Sequence, residues 1–262
     1  MPTSPLPLQA TEPSPAPLAA LHGGRRNRFF VWIAVAMLLV VALGFGPSFY
    51  LRPWGTGQPL PVYLIVHGLT LSAWYLLFLA QAVLVSAGRR DLHGRLGIAG
   101  VALAAGVVVT GAMAHLNFIA HLQAQGLLSG PEDRMRAGGF VLEGLISLLP
   151  FVVLIVLAVV LRRRTQLHKR LMYWAFVWTL GPALTATRPL GAMLDSLVAP
   201  HLPFFPADLI WLVALLAYDW KTQGRIHPAT YVGFALLAFY FFFVTRWLAG
   251  IEALQRLLMA QV

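Results

Sequence analysis

The chain has 262 residues, of which 59% are hydrophobic and 11% are charged, and it carries a net charge of +10. Soluble domains contain about 25% charged residues, so this composition excludes a soluble globular protein and predicts a membrane protein. The absence of cysteine excludes disulfides, iron–sulfur clusters and thiolate metal sites. The positive charge does not indicate nucleic-acid binding, because the basic residues lie in short stretches between long apolar runs, where membrane insertion requires them.

The chain opens with a proline-rich segment, residues 1–24, that lacks the basic and apolar regions of a signal peptide. We predict a disordered cytoplasmic tail there. Residues 25–250 contain seven apolar runs, and roughly 20 such residues in a helix span a bilayer. The predicted fold class is therefore an all-α bundle of seven transmembrane helices, followed by a short tail over 251–262. The predicted helices are 29–49, 61–86, 96–118, 139–161, 171–194, 204–219 and 229–249.

Lysine and arginine predict the orientation, since loops rich in them stay on the cytoplasmic side of the membrane. Most of them lie before the first predicted helix and in the loops between helices 2 and 3, 4 and 5, and 6 and 7. The loops on the other side hold only Arg52, Arg134 and Arg136. We therefore predict a cytoplasmic N-terminus in a multi-pass protein of the bacterial inner (plasma) membrane.

A histidine beside basic residues recurs in three of the predicted cytoplasmic loops. The stretches are "DLHGRLG" at 91–97, "QLHKRLM" at 166–172 and "GRIHPAT" at 224–230. Such side chains at a membrane edge favour contact with anionic lipid headgroups, although histidines there can also ligate a metal or titrate near neutral pH. The residues predicted to contact headgroups are Arg89, Arg95, Lys169, Arg170, Arg225 and His227.

Ionisable residues are few inside the apolar runs, and such residues are costly in a membrane unless they are paired or functional. His67, Trp74 and Gln81 are spaced by seven, so they share one face of the second predicted helix. Other helices bring charged groups to the depth of His67. We predict an outward-facing polar pocket for a small anionic ligand, formed by His67, Trp74, Glu143, Arg188, Asp208 and Trp211. The competing interpretation is structural, with His67 hydrogen-bonded in the core and Arg188 in an ion pair.

Histidines also occur in pairs at two depths of the predicted bundle. His67 and His115 lie towards the outer side, and His93 and His168 lie at the cytoplasmic side. Paired imidazoles on different helices are the ligands that membrane b-type cytochromes use for haem, and they can also bind other metals. The sequence therefore predicts, as an alternative, haem b or a metal at one or both pairs.

Five stretches of the sequence resemble a family of bacterial polytopic membrane proteins without an assigned activity: "VHGLTLSAWYLLFLAQ", "GRRDLHGRLG", "LHKRLMYW", "TRPLG" and "YDWKTQGRIHPATYVG". The resemblance covers roughly residues 61–235 and implies a helical membrane domain. By residue, the shared motifs fall on His67, Trp74, Gln81, Arg89, His93, Arg95, His168, Arg170, Arg188, Asp219, Arg225 and His227.

Three functional classes agree with the sequence. The favoured one is a protein that binds, transports or senses a small molecule in the outward-facing pocket. The alternatives are a haem b protein for electron transfer, and a structural or assembly protein whose polar residues only join helices. We do not predict a hydrolase, because the chain has no HExxH motif and no nucleophile elbow.

Overall fold

The computed structural model describes residues 18–55, 59–186, 206–244 and the single residue 247. Within these residues the chain is helical and contains no strand, as the sequence predicts. Four helical segments are long and apolar enough to cross a membrane: Arg28–Trp54, Val62–Ser86, Arg90–Leu116 and Pro131–Val160.

The chain begins with α1 (Leu18–Phe45), which continues through a π-helical turn (Gly46–Tyr50) and a 3₁₀ turn (Arg52–Trp54). Two long helices follow, α2 (Val62–Ser86) and α3 (Arg90–Leu116), and α2 packs against both α1 and α3. Because α1 starts at Leu18, the end of the predicted disordered tail is helical. The rest of that tail, and the tail predicted over 251–262, lie outside the described residues.

The second half of the described chain contains one long helix, with shorter helices before and after it in sequence. A short α4 (Phe118–Ala124) precedes α5 (Pro131–Val160), whose first turn has proline at its start and two acidic residues that suit the positive end of a helix. The remaining helices are α6 (Thr165–Trp178), α7 (Gly181–Ala186), α8 (Pro206–Gln223) and α9 (Pro228–Phe239), and α9 ends in a π-helical turn (Tyr240–Val244).

The fifth predicted helix, 171–194, is broken in the structure. α6 ends at Trp178 and α7 begins at Gly181, immediately before Pro182, which has no N–H to continue a helix. The hydroxyl of Tyr75 donates to the carbonyl oxygen of Phe176 at 3.0 Å and lies 2.8 Å from the Thr179 hydroxyl. The Tyr75 side chain of α2 therefore donates to a carbonyl oxygen at the end of α6, and the Thr179 hydroxyl donates to the same oxygen at 3.1 Å.

Stacked aromatic rings form the centre of the bundle. The Phe176 ring stacks on Trp74, with centroids 4.3 Å apart, and on Phe78, at 4.0 Å. Trp74 and Phe176 are each 1% exposed. The outer surface, by contrast, carries large apolar side chains such as Val62 and Ile98, about three quarters exposed at 75% and 76%. This arrangement suits a protein whose outer surface meets lipid.

Candidate functional site

Polar side chains of α2 and α3 meet at the end of the bundle where α2 begins. His67 Nδ1 lies 3.2 Å from the hydroxyl of Thr110, and that hydroxyl donates to the carbonyl oxygen of Gly106 at 2.8 Å. A threonine hydroxyl has one hydrogen, so it accepts from His67, which then carries its proton on Nδ1. The second ring nitrogen, Nε2, is left with a lone pair that a ligand or a proton can use.

His115 and Glu143 extend this group of polar residues to α5. The His115 ring lies directly against Gly144, where a Cβ atom would overlap the imidazole. Glu143 is the neighbouring residue, and His115 is close enough to His67 for their charges to interact. We call His67, Thr110, His115 and Glu143 the His67 cluster. The contacts join His67, Thr110 and His115, and Glu143 is included as the residue before Gly144 in α5.

The carboxylate of Glu143 is half-buried. Among the described residues, none forms a hydrogen bond or an ion pair with this carboxylate. The main-chain oxygen of Glu143 does accept a hydrogen bond, at 2.6 Å, from the hydroxyl of Tyr240. The indole of Trp178 donates to the carbonyl oxygen of Ser147 at 2.8 Å and joins the end of α6 to the same part of α5.

The predicted aromatic walls of the pocket lie elsewhere. Trp74 stacks on Phe176 and meets the edge of Phe151 at 5.6 Å, and Trp211 is 6% exposed on α8. These are the contacts of core residues, because the face of α2 that carries Trp74 points into the aromatic centre. Of the other predicted pocket residues, Arg188 and the side chain of Asp208 lie outside the described part of the chain.

The opposite end of the bundle holds a buried ion pair that the sequence did not predict. Arg170 and Asp219 are each 0% exposed. Arg170 Nε donates to Asp219 Oδ1 at 3.0 Å, Nη2 contacts the same oxygen, and Nη1 donates to the Gln166 carbonyl and side-chain oxygens at 2.8 and 3.0 Å. Asp219 Oδ2 accepts from the Thr230 hydroxyl at 2.6 Å and from the backbone N–H of His227 at 3.0 Å. We call these five residues the Arg170 network.

This burial corrects part of the headgroup prediction. Arg170 lies on the inward face of α6, so it has no exposed surface that could contact a lipid. The ammonium of Lys169 donates to the Tyr218 hydroxyl at 2.8 Å and lies over the Phe30 ring, 5.5 Å from its centroid. Arg89, Arg95 and Arg225 are exposed, so headgroup contact by these residues stays a prediction.

His227 is not a cationic anchor either. Its Nδ1 accepts from the backbone N–H of Ala229 at 3.1 Å and caps the start of α9. Burial, and then the positive charge of Arg170, lowers the pKa of His227 from its ordinary value of 6.5. The ring is therefore neutral at pH 7 and is not attracted to anionic headgroups.

A pair of histidines lies at the end of the bundle where α6 begins, and one of them is two residues before Arg170. The rings of His93 and His168 have centroids 6.2 Å apart and planes at 82°. His168 Nδ1 lies 2.9 Å from the carbonyl oxygen of Ala158 and so carries a proton. The side-chain amide of Gln81, oriented by its hydrogen bonds, faces His93 Nδ1 and accepts from the backbone N–H of Gly97 at 3.1 Å.

No family model, curated protein or solved structure matches the chain. The resemblance of the motifs to a family therefore stays a prediction, and the function must be inferred from this chain's own residues. Among the described residues, no three histidine or carboxylate side chains are grouped so that they could hold a metal ion by themselves.

Proposed function

We propose that the protein binds a small polar molecule in the His67 cluster and transports it or senses it. The observation that supports this proposal is the meeting of His67, Thr110 and His115 on two membrane helices, with the His115 ring against Gly144 of a third, the residue next to Glu143. Ionisable groups at such depth are costly, and they are retained where they contact one another, a substrate or protons. His67 and His115 can each take a proton or donate a hydrogen bond, and Glu143 can accept one.

Irregular helices near the cluster support a binding role over a purely structural one. The π-helical turn after α1 brings the Tyr50 hydroxyl within 2.6 Å of the Ser72 hydroxyl on α2, and the π-helical turn after α9 begins at Tyr240, which bonds Glu143. Such turns are frequent at functional sites. The break between α6 and α7 resembles the discontinuous helices that form substrate sites in transporters.

The proposed topology is seven transmembrane helices with the N-terminus in the cytoplasm of a bacterial cell. The exposed Arg89, Arg95 and Arg225 belong to the end that holds the Arg170 network, and basic loops are retained in the cytoplasm. In this orientation the His67 cluster opens to the outside. We further propose a small anion as the ligand, because the sequence has a basic residue, Arg188, two positions after the end of α7.

Equilibrium dialysis of the purified protein against a mixture of small carboxylates, phosphates, amines and sugars tests this proposal. Wild type is expected to retain at least one compound, which mass spectrometry identifies, and His67→Ala and Glu143→Gln should each reduce that retention at least tenfold. The matched control is Glu132→Gln, because the Glu132 side chain is 87% exposed on the same helix. Retention of no compound by wild type, or equal retention by all variants, would overturn the proposal and favour a structural role.

A further inference from the structure

Glu143 lies apart from the other charged residues of α5. The nearest charged residue before it in sequence is Arg136, about 10 Å away along the helix axis at 1.5 Å per residue. The Arg136 guanidinium contacts the Glu132 carboxylate at 3.3 Å. No ionisable residue follows Glu143 in α5, which continues to Val160. The Glu143 carboxyl group is therefore half-buried in the uncharged part of a helix that can cross a membrane.

The hydrogen-bond donors that contact α5 near Glu143 are engaged with main-chain oxygens. The Tyr240 hydroxyl donates its hydrogen to the main-chain oxygen of Glu143 at 2.6 Å. The Trp178 indole donates to the Ser147 carbonyl oxygen at 2.8 Å, and the Ser147 hydroxyl donates to the Gly144 carbonyl oxygen at 2.6 Å. Within the part of the chain that the structure describes, none of these groups forms a hydrogen bond with the Glu143 carboxyl group.

The ionisable side chains of the elements packed against this part of α5 are histidines. α3 contributes His115, whose ring lies against Gly144, and α4 contributes His121. The basic residues of α6 lie at its start, which meets the last turn of α5 through His168. Over residues 18–55, 59–186 and 206–244, no lysine or arginine forms an ion pair with Glu143.

A carboxyl group in these surroundings is more stable when it carries a proton. Transfer of an isolated carboxylate from water into an apolar medium is so costly that such a group neutralises instead. Ionisable residues that are retained within membrane helices commonly handle protons. A neutral Glu143 would also remove the repulsion between a carboxylate and the small anion proposed as the ligand.

We propose that Glu143 is a proton-binding site, protonated inside the membrane and open to proton exchange with water on the outer side. Exchange with the outer side rests on the proposed function, which places this end of the bundle outside, whereas protonation follows from the surroundings of the side chain. The proton is thus a second species bound at this end. A protonated carboxyl group can donate a hydrogen bond as well as accept one, so it can contact an anion that a carboxylate would repel.

Dicyclohexylcarbodiimide, an apolar reagent that modifies protonated carboxyl groups within membranes, tests the proposal. The acid adds across one C=N bond, so the carboxyl proton moves to a nitrogen and the carboxyl oxygen bonds to the central carbon. Rearrangement to the N-acylurea keeps the whole reagent on the residue, and mass spectrometry of peptides locates it. In right-side-out vesicles at an outside pH of about 6, Glu143 should be modified at least tenfold more than Glu132, an ionised side chain that is 87% exposed on the same helix.

A change of the outside pH alone tests exchange with the outer side. With the interior buffered at about pH 7, an outside pH of about 9 should reduce modification of Glu143 at least fivefold, because the carboxyl group loses its proton to the outer medium. The infrared band of a protonated carboxyl group is a second measurement that needs no access for the reagent. Wild type and Glu132→Gln should show a band that weakens at the higher outside pH, and Glu143→Gln should lack it.

Absence of both the adduct and the infrared band would overturn the proposal, since Glu143 would then be ionised, as in an ion pair with Arg188. Signals that are equal at both outside pH values, or that follow the interior pH, would also overturn it, because the proton would not exchange with the outer side. Retention of a compound in dialysis without protonation of Glu143 would contradict the proton site alone. Protonation without any retained compound would contradict the binding function alone.

Discussion

The guanidinium of Arg170 and the carboxylate of Asp219 form an ion pair with no solvent-exposed surface on either side chain. The pair joins α6 to α8, and through Thr230 and the backbone of His227 it also holds the start of α9. Each oxygen of Asp219 and each nitrogen of the Arg170 side chain has a partner within the network. Buried charges are tolerated when geometry and hydrogen bonds satisfy them in this way.

Removal of one partner should therefore destabilise the protein strongly. We expect Asp219→Ala to lower the free energy of unfolding by about 3 to 5 kcal/mol, because it leaves the Arg170 charge buried without compensation. Thermal unfolding in detergent measures the effect. Asp91→Ala is the control, since the Arg89–Asp91 pair is more than half exposed, at 57% and 58%, and exposed pairs contribute about 0 to 1 kcal/mol. Equal losses in the two variants would contradict the role given to burial.

The Tyr75 hydroxyl supports the break between α6 and α7. Tyr75→Phe should cost about 0.5 to 1.5 kcal/mol, because the Phe176 carbonyl loses one of two donors and keeps the Thr179 hydroxyl at 3.1 Å. Tyr231→Phe is the matched control, since Tyr231 is 57% exposed. If both variants unfold at the wild-type temperature, Tyr75 does not stabilise the break.

Gly233 lets α9 approach α6. A Cβ atom on it would overlap the Trp174 indole, which is 1% exposed and has little room to move. Gly233→Ala should therefore destabilise the protein by about 1 to 3 kcal/mol through overpacking. Gly94→Ala, which meets no neighbour, should leave stability unchanged or raise it by about 1 kcal/mol through helix propensity. Thermal unfolding of the two variants gives the comparison, and the reverse order would contradict this packing.

His227 should contribute to a loss of stability in acid. Its pKa is lowered in the folded protein, first by burial and then by Arg170, so the unfolded chain binds the proton more readily. The contribution is present above the ordinary pKa of 6.5 and is lost as the pH falls below it, towards the lowered folded value. His227→Asn keeps a capping side chain and should reduce the difference in unfolding temperature between pH 7.5 and pH 5.5. An unchanged or larger difference would contradict this assignment.

The long apolar helices could be predicted because length and hydropathy decide whether a segment spans a membrane. The ends of α2 agree closely with the prediction of 61–86. The break after Trp178 was harder to predict, because it depends on Pro182 together with the Tyr75 hydroxyl from a distant helix.

The sequence alone could not predict which of the basic residues are buried. Arg162, Arg163, Arg164, Lys169 and Arg170 form one basic stretch, and insertion rules treat them alike. Arg170 is buried because it lies on the face of α6 that meets Asp219 of α8, whereas Arg164 precedes α6 and is exposed. The pairing of His93 with His168 was predicted from their shared depth, while the hydroxyl of Thr110 beside His67 gave no signal beyond a polar residue in an apolar run.

The proposed function requires that the His67 cluster opens to water on the outer side of the membrane. The natural chain has no cysteine, so a single Thr110→Cys substitution gives a unique thiol for a membrane-impermeant reagent applied to intact cells. Val109→Cys is the control at the same depth, because Val109 is 58% exposed on the outer surface of the bundle whereas Thr110 is 8% exposed inside it. We predict labelling of Thr110→Cys from outside and no labelling of Val109→Cys. Failure to label Thr110→Cys from outside, or equal labelling of both variants, would contradict the claim.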